Sequence, residues 1–376
     1  MSVEIRLWLP VFEIEYCFLG VIANAFINGI MKSGAVVLSR RGVVAGLAGM
    51  TAIYPVWAMD MPFSNAWLTY RRRFVRATGR VVDTGNHGIS HSEGQGTGLL
   101  FAVAADDHDS FAAIWEWTRA NLRRDDGLLA WRWLPDGPVP VPDHNNAADG
   151  DLLTAWALAR AARRWTVPDY REAALRMAAA IRGKLLVPGG RGGAPLLLPG
   201  TQGFQHEDGL TLNLSYYVFP AFQELAALER MAAVAGADQA WQAVARGGLD
   251  LIREARFGVH SLPPDWLLRH QDGELVPDPR FPPRFGYDAV RIPLYLALAG
   301  LLTPDLAAPF RALWLTAPPP GWVDLVTGTV APYTEHGGYL SVAKLIVDGS
   351  APARDLTAED DYFSASLTLF AQLPLA

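Results

Sequence analysis

The chain has 376 residues, 51% hydrophobic and 19% charged, with 13 Trp, 11 Tyr and 16 Phe; that much apolar surface offsets chain entropy and excludes disorder for its bulk. A net charge of −6 argues against nucleic acid as a partner, because such binding rests on clustered Lys and Arg. Cys17 is the only cysteine, which excludes an intrachain disulfide and a multi-thiolate metal site. No His-Glu-x-x-His or comparable pair is present either, so neither a metal nor a cofactor is expected.

In chain order, residues 17–30 are mostly apolar, but Asn24 and Asn28 interrupt them and Glu13 and Glu15 precede them. That leaves too few clean apolar residues for a membrane span. Ser39-Arg40-Arg41-Gly42-Val43-Val44 then leads into an apolar run ending at Val56-Trp57-Ala58. The pattern predicts a leader over 1–58 with an export signal cleaved after Ala58, a twin arginine in its basic part, and translation starting at Met31. A first buried helix is the alternative. Export implies a periplasmic or secreted protein with no stable span after cleavage, and 59–376 reads as one domain.

From about residue 60 the apolar positions recur with a helical period. Helices are expected over 62–80, 92–106, 108–124, 149–165, 168–185, 218–236, 238–256, 286–301, 304–316, 336–348 and 359–374. Leu152, Leu153, Trp156 and Ala157 gather on one face of theirs, and Pro168 and Pro304 suit first-turn positions. Arg71-Arg72-Arg73 reads as a solvated helix face and His206-Glu207-Asp208 as a turn. Gly189-Gly190-Arg191-Gly192-Gly193 predicts a hairpin between 184–187 and 194–198. The segments 125–148 and 257–285, rich in Gly, Pro, Asp and aromatics, read as long loops. The whole is an all-α fold, a barrel of paired helices with ornamented loops.

Three acids stand at expected helix starts. Glu93 lies among glycines in His91-Ser92-Glu93-Gly94-Gln95-Gly96, where small neighbours let a bulky ligand approach. Asp149 lies in Asn145-Asn146-Ala147-Ala148-Asp149-Gly150-Asp151, and Asp288 in Tyr287-Asp288-Ala289. Acids at such places commonly cap helices and complement the dipole, and Asp151 is assigned that role. Acid catalysis depends on the other three converging at one end of the barrel.

With these segments, Gly79-Arg80-Val81-Val82-Asp83-Thr84-Gly85-Asn86, Pro142-Asp143, Leu152-Leu153 and Leu212-Asn213-Leu214-Ser215-Tyr216-Tyr217 complete half of a pattern. Leu262-Pro263-Pro264-Asp265-Trp266, Arg291, Pro320-Gly321-Trp322-Val323-Asp324-Leu325 and Asp361-Tyr362 supply the rest. The chain resembles glycoside hydrolase family 8 over residues 60–374, and most closely the endoglucanases encoded beside bacterial cellulose synthases. The resemblance implies an (α/α)6 barrel that hydrolyses β-1,4 glycosidic bonds with inversion. It implies Glu93 as general acid, Asp288 as general base, and Asp149 as the acid that holds the distorted sugar. It also implies β-1,4-glucan as the substrate and the cellulose synthesis machinery as a partner. Thr97 departs from the Tyr usual after Glu-Gly-Gln-Gly, and Ala148 from the Thr usual before the central Asp.

Inverting hydrolysis needs acid and base about 6.5–9.5 Å apart to admit a water. Glu93 must keep its proton against the helix dipole, so burial or the charge of Asp149 has to outweigh that dipole. Asp288 must be ionised, which Arg291 one turn away favours. A neutral glucan is bound by stacking and hydrogen bonds. The candidates are Trp131, Tyr216, Trp266, Tyr287 and Tyr362, with Asn146 and Arg291 as polar contacts; a core role for Trp266 stays open. Xylan, chitosan and mixed-linkage glucan remain alternative substrates, and a non-catalytic glycan-binding component of cellulose export remains an alternative function.

Overall fold

Periodic apolar stretches of this length bury one face each, and they are stable only when packed against one another. The structure is a computed structural model that describes residues 61–374 apart from 190, 316, 317, 336, 351 and 352. The expected leader, with Cys17 and Met31, lies outside the described residues. Among those described, the helices are α1 (Met61–Phe74), α2 (Ser92–Ala104), α3 (His108–Asn121), α4 (Ala148–Trp165), α5 (Pro168–Lys184) and α6 (Phe219–Met231). They continue with α7 (Ala237–Glu254), α8 (Arg291–Leu298), α9 (Pro304–Trp314), α10 (Gly338–Asp348) and α11 (Tyr362–Ala371).

Inner and outer helices alternate. Eleven of the thirteen residues of α2 are buried, against three of fourteen in α3. By the same measure α4, α6, α8 and α11 join α2 inside, while α1, α3, α5 and α7 flank them; α9 and α10, each with six of eleven residues buried, continue the outer–inner alternation in chain order. This is an (α/α)6 barrel in which no outer helix follows α10 among the described residues. Trp67, Trp156 and Trp241 are fully buried core side chains.

Four helices, α1, α6, α8 and α11, are at least five residues shorter than their periodicity predicts. The first stops at Phe74 because Val75 pairs with Val81 around Gly79, a left-handed turn (φ 87°) pressed so closely on Ala113 that no Cβ would fit. The sixth ends at Met231, ahead of left-handed Ala233 and Gly236. Residues 286–290 form a turn, so Asp288 precedes α8 instead of lying in it.

Short strands decorate the barrel. β1 (Ser90–His91) pairs with β2 (Arg132–Trp133), and β3 (Leu186–Pro188) with β4 (Pro195–Leu197) as the expected hairpin. An antiparallel sheet runs in the order β5 (Gln205–His206), β6 (Gly209–Leu212), β7 (Leu267–His270), β8 (Leu275–Pro277). Thus 257–285 is not a plain loop: its strands complete a sheet begun some 55 residues earlier, with Leu212 opposite Leu267. His206-Glu207-Asp208 makes the β5–β6 turn. β9 (Arg284–Phe285) pairs with β10 (Val323–Asp324).

Two further expectations are corrected. Arg71-Arg72-Arg73 is not a bare solvated face: Arg71 pairs with Asp107 at 3.1 Å, and Arg73 donates to the carbonyls of Thr357 and Ala358. Asp151 does not cap α4, whose N-cap is Ala147 with no side-chain cap. Its buried carboxylate instead accepts from Leu129 N–H (2.9 Å) and from Asn146 Nδ2 (2.8 Å).

Candidate active site

The contact between α2 and α4 decides where two of the acids lie. A Cβ on Gly150 would lie 2.1 Å from Ser92 Oγ and 2.6 Å from Glu93 N, and one on Gly96 would lie 2.8 Å from Leu153 Cβ. The helix starts therefore approach to backbone contact, which sets Glu93 beside Asp149. β1 and β2 fix the same corner: Ser92 N–H donates to Trp131 O and Trp131 N–H to Asn145 O, each at 2.9 Å.

Arg291, in the first turn of α8, joins the third acid to these two. Its Nη1 reaches Glu93 Oε1 and, at 3.3 Å, Asp149 Oδ2. Its Nη2 donates to Asp288 Oδ1 at 2.5 Å and to Ser215 Oγ at 3.2 Å. Glu93 and Asp288 keep 27% and 26% of their side-chain surface, whereas Asp149 and Arg291 keep 2% and 4%. Glu93 and Asp288 are thus partly exposed, while Asp149 and the cation are almost fully buried; Asp288 lies outside the lining of the cavity in front of Glu93.

The electrostatics follow from this arrangement. One guanidinium faces three carboxylates, so the cluster resists full ionisation. Asp149 is pushed up to about 7, first by burial and then by the charge of Glu93, with Arg291 opposing. Burial also raises Asp288, against Arg291 and with Glu93, while the Asn213 amide assists Arg291. Because Nη1 is shared, neither Glu93 nor Asp149 has the cation to itself.

A cavity of 250 Å³ opens in front of Glu93 and Asp149, lined also by Asp83, Asn86, His91, Trp131, Tyr216 and Tyr362. Trp131 hands its indole N–H to Asp143 Oδ2 at 2.7 Å and carries the Arg132 guanidinium 4.4 Å from its ring. Tyr362 is buried and meets His91 edge-on.

The remaining candidates lie elsewhere. Asn146 is buried and spends both ends of its amide on the protein, on Asp151 and on Thr201 N–H (2.7 Å); it braces the α4 start and does not present a polar contact to a ligand. Trp266 lies in an aromatic stack with Phe281 (4.4 Å, 12°) and Phe204 (5.9 Å, 3°), and touches the cavity only through Tyr216. Tyr287 is exposed and hydrogen-bonds Glu335 at 2.9 Å and Tyr333 at 3.1 Å, outside that lining. Arg291 organises carboxylates from behind.

Sequence reasoning passed over Asp265, Ser215, and the pair Asp83 and His91. Asp265 Oδ1 accepts from Gly286 N–H (2.9 Å) and Ala289 N–H (2.8 Å), clamping the turn that carries Asp288. Burial, then the charge of Asp288, pushes Asp265 up to about 7. Its only signal in the sequence was membership of the Pro263-Pro264-Asp265-Trp266 segment.

Chemically, two partly exposed carboxyls bridged by one guanidinium can serve as an acid–base pair. The chain as a whole is similar to known proteins. A probable endoglucanase of Novacetimonas hansenii is 41% identical over 344 residues, covering 89% of this chain and 98% of its own. The structure of the endo-β-1,4-glucanase CMCax from Acetobacter xylinum superposes with a TM-score of 0.77 at 42% identity, covering 83% of this chain and 97% of its own. An endoglucanase structure from Komagataeibacter sucrofermentans gives 0.76 at 43% identity, covering 82% and 96%. The match to the glycosyl hydrolases family 8 pattern spans residues 47–375, beginning inside the segment expected to be a leader. With that pattern across nearly the whole barrel and relatives above 40% identity along most of its length, the chain belongs to glycosyl hydrolase family 8.

Proposed function

We propose that the protein is an inverting endo-β-1,4-glucanase in which Glu93 protonates the departing glycosidic oxygen and Asp288 activates the attacking water. The observation that carries this reading is the convergence of both carboxyls on Arg291, with buried Asp149 between α2 and α8. The guanidinium binds the two carboxyls through different nitrogens and takes one oxygen of each, leaving the second oxygen of each for the glycosidic oxygen or the water. Asp149, raised to about 7, faces the cavity as an acid able to donate to a distorted sugar. Trp131 and Tyr216 offer ring surface along the cavity for neutral sugar faces, while Tyr362, buried, lines it without a free face. The relatives named endoglucanase support β-1,4-glucan as the substrate.

The test is viscosity loss and reducing-end release from carboxymethyl cellulose by wild type, Glu93→Gln and Asp288→Asn. Fast thinning by wild type alone, with the α-anomer appearing first by NMR, is the expected result. Thinning of xylan, chitosan or mixed-linkage glucan in its place moves the substrate; glucan binding without cleavage of any of them leaves a binding protein. We further propose an exported enzyme acting on glucan during cellulose synthesis, a reading supported by Arg40-Arg41 and the apolar run after them. N-terminal sequencing of the exported protein tests it.

A further inference from the structure

We propose that His91 is a positioning residue for Glu93, held by Asp83 in the tautomer whose free Nδ1 accepts the Gly94 N–H; this rests on the reading of Glu93 as the acid. His91 occupies the N-cap of α2 with extended backbone (φ −135°, ψ 157°). Ser, Thr, Asp or Asn usually fills that position and accepts an orphan N–H with a side-chain oxygen. Here the acceptor is a ring nitrogen, Nδ1, 3.0 Å from Gly94 N. A backbone N–H can only donate, so Nδ1 carries no proton and the neutral ring is protonated at Nε2. Nε2 faces Asp83 Oδ2 at 3.4 Å. Asp83 is itself anchored, by Gly85 N–H on its Oδ1 (3.0 Å) and by its own N–H on Ile89 O (2.9 Å).

The same Nδ1 lies 4.0 Å from Glu93 Oε2. Glu93 Oε1 accepts from Arg291, so the transferable proton belongs on Oε2, the oxygen facing the unprotonated ring nitrogen. The ring cannot drift: Tyr362 packs edge-on to it at 5.5 Å, and a Cβ on Gly94 would lie 2.9 Å from Tyr362 Oη and 3.3 Å from His91 Cε1. His91 thus sets both the first turn of α2 and which Glu93 oxygen is free.

Protonation would reverse this arrangement. A proton on Nδ1 ends the cap and presents a cation to Glu93 Oε2, 4.0 Å away, which favours the carboxylate over the acid. The charged and titratable groups facing His91 are Asp83, Glu93 and Asp149, with the Tyr362 hydroxyl alongside and Arg291 beyond Glu93. Burial pulls the imidazole down, but the Asp83 hydrogen bond and the charges of Glu93, Asp83 and Asp149 more than offset it, so His91 titrates above its ordinary value.

Two measurements on the whole protein decide the matter. In ring-¹⁵N histidine spectra, with the His91 signal assigned by its absence in His91→Asn, the expected form above the titration is Nε2–H with a bare Nδ1. Asp83→Asn should lower its titration point. An Nδ1–H tautomer, or a titration unmoved by Asp83→Asn, overturns the proposal without reference to activity. In kinetics, His91→Ala should lose about tenfold in kcat at constant KM. His91→Asn, which restores a cap acceptor, should recover most of that loss and shift the acid limb to lower pH. Equal loss in both variants, or an acid limb unchanged in His91→Asn, also overturns it. Cleavage retained by Glu93→Gln would refute the acid reading instead, and the spectra would be unaffected.

Discussion

Replacing Gly150 by Ala probes the contact that sets Glu93 beside Asp149. Gly150 is absent from the positive-φ positions, so its backbone admits any residue, and Ala would gain about 1 kcal/mol in helix propensity. Its Cβ, however, would lie 2.6 Å from both Ser92 Cβ and Glu93 N. Ser92 Oγ can rotate away, but those two atoms cannot. Restoring ordinary contact near 3.4 Å parts α2 from α4 by about 0.8 Å (3.4 less 2.6), and overpacking of this kind costs about 1–3 kcal/mol. The net stability loss is then about 0–2 kcal/mol, a few degrees in Tm for a domain of this size. The effect on catalysis is larger, because a displacement near 1 Å costs about 10²-fold. Thermal melts and carboxymethyl cellulose kinetics on Gly150→Ala should show kcat down about 30–100-fold with Tm little changed. Gly183→Ala is the control, since nothing lies within 4 Å of its Cβ. A Gly150→Ala enzyme within threefold of wild type, like the control, would refute the argument that this contact places the acid.

Arg291→Met should lower kcat at least 100-fold in the same assay, and Arg291→Lys should do little better because one ammonium cannot fork between Glu93 and Asp288; a Lys variant within threefold of wild type would count against the shared-cation geometry. Asp265→Ala releases the Asp288 turn and should reduce kcat about tenfold with KM held, whereas Asp265→Asn keeps an acceptor for both N–H groups and should restore most of the rate. Asp151 is raised by burial to about 8, against its hydrogen bonds from Asn146 and Leu129. The folded state therefore holds that proton where the unfolded chain has lost it, and this contribution to stability is full below about pH 4 and lost as pH rises toward 8. Asp151→Asn should flatten that part of the Tm-versus-pH curve, and a wild-type slope surviving unchanged in the variant would show that Asp151 is not its source.

Glu93, Asp149, Asp288 and Arg291 could be picked out from the sequence because each sits where a local rule applies: small neighbours, a helix start, or a spacing of one turn. The helices could be picked out for the same reason, since their period is local. What escaped was non-local. The β6–β7 pairing joins four-residue strands across some 55 positions, too short to leave a period of their own. Asp265 clamps a turn 21 residues away, and nothing in its surroundings distinguishes that from a surface loop acid. Asn146 and Asp151 looked like a ligand contact and a cap; burial, which spacing does not reveal, turned them toward each other.

The hydrogen bonds from Ser92 to Trp131, from Trp131 to Asn145 and from Leu129 to Asp151 bind one wall of the cleft into a single body. Asp288, opposite, hangs on a turn held by the Asp265 carboxylate. One wall is therefore tied mostly through the main chain, and the turn of Asp288 through a single carboxylate. A polymer settling against Trp131 and Glu93 meets a surface that does not yield, so the sugar must do the bending. In the proposed mechanism the Asp288 turn carries the base, so disturbing the one carboxylate that holds it would slow cutting while the wall carrying Glu93 still holds the polymer.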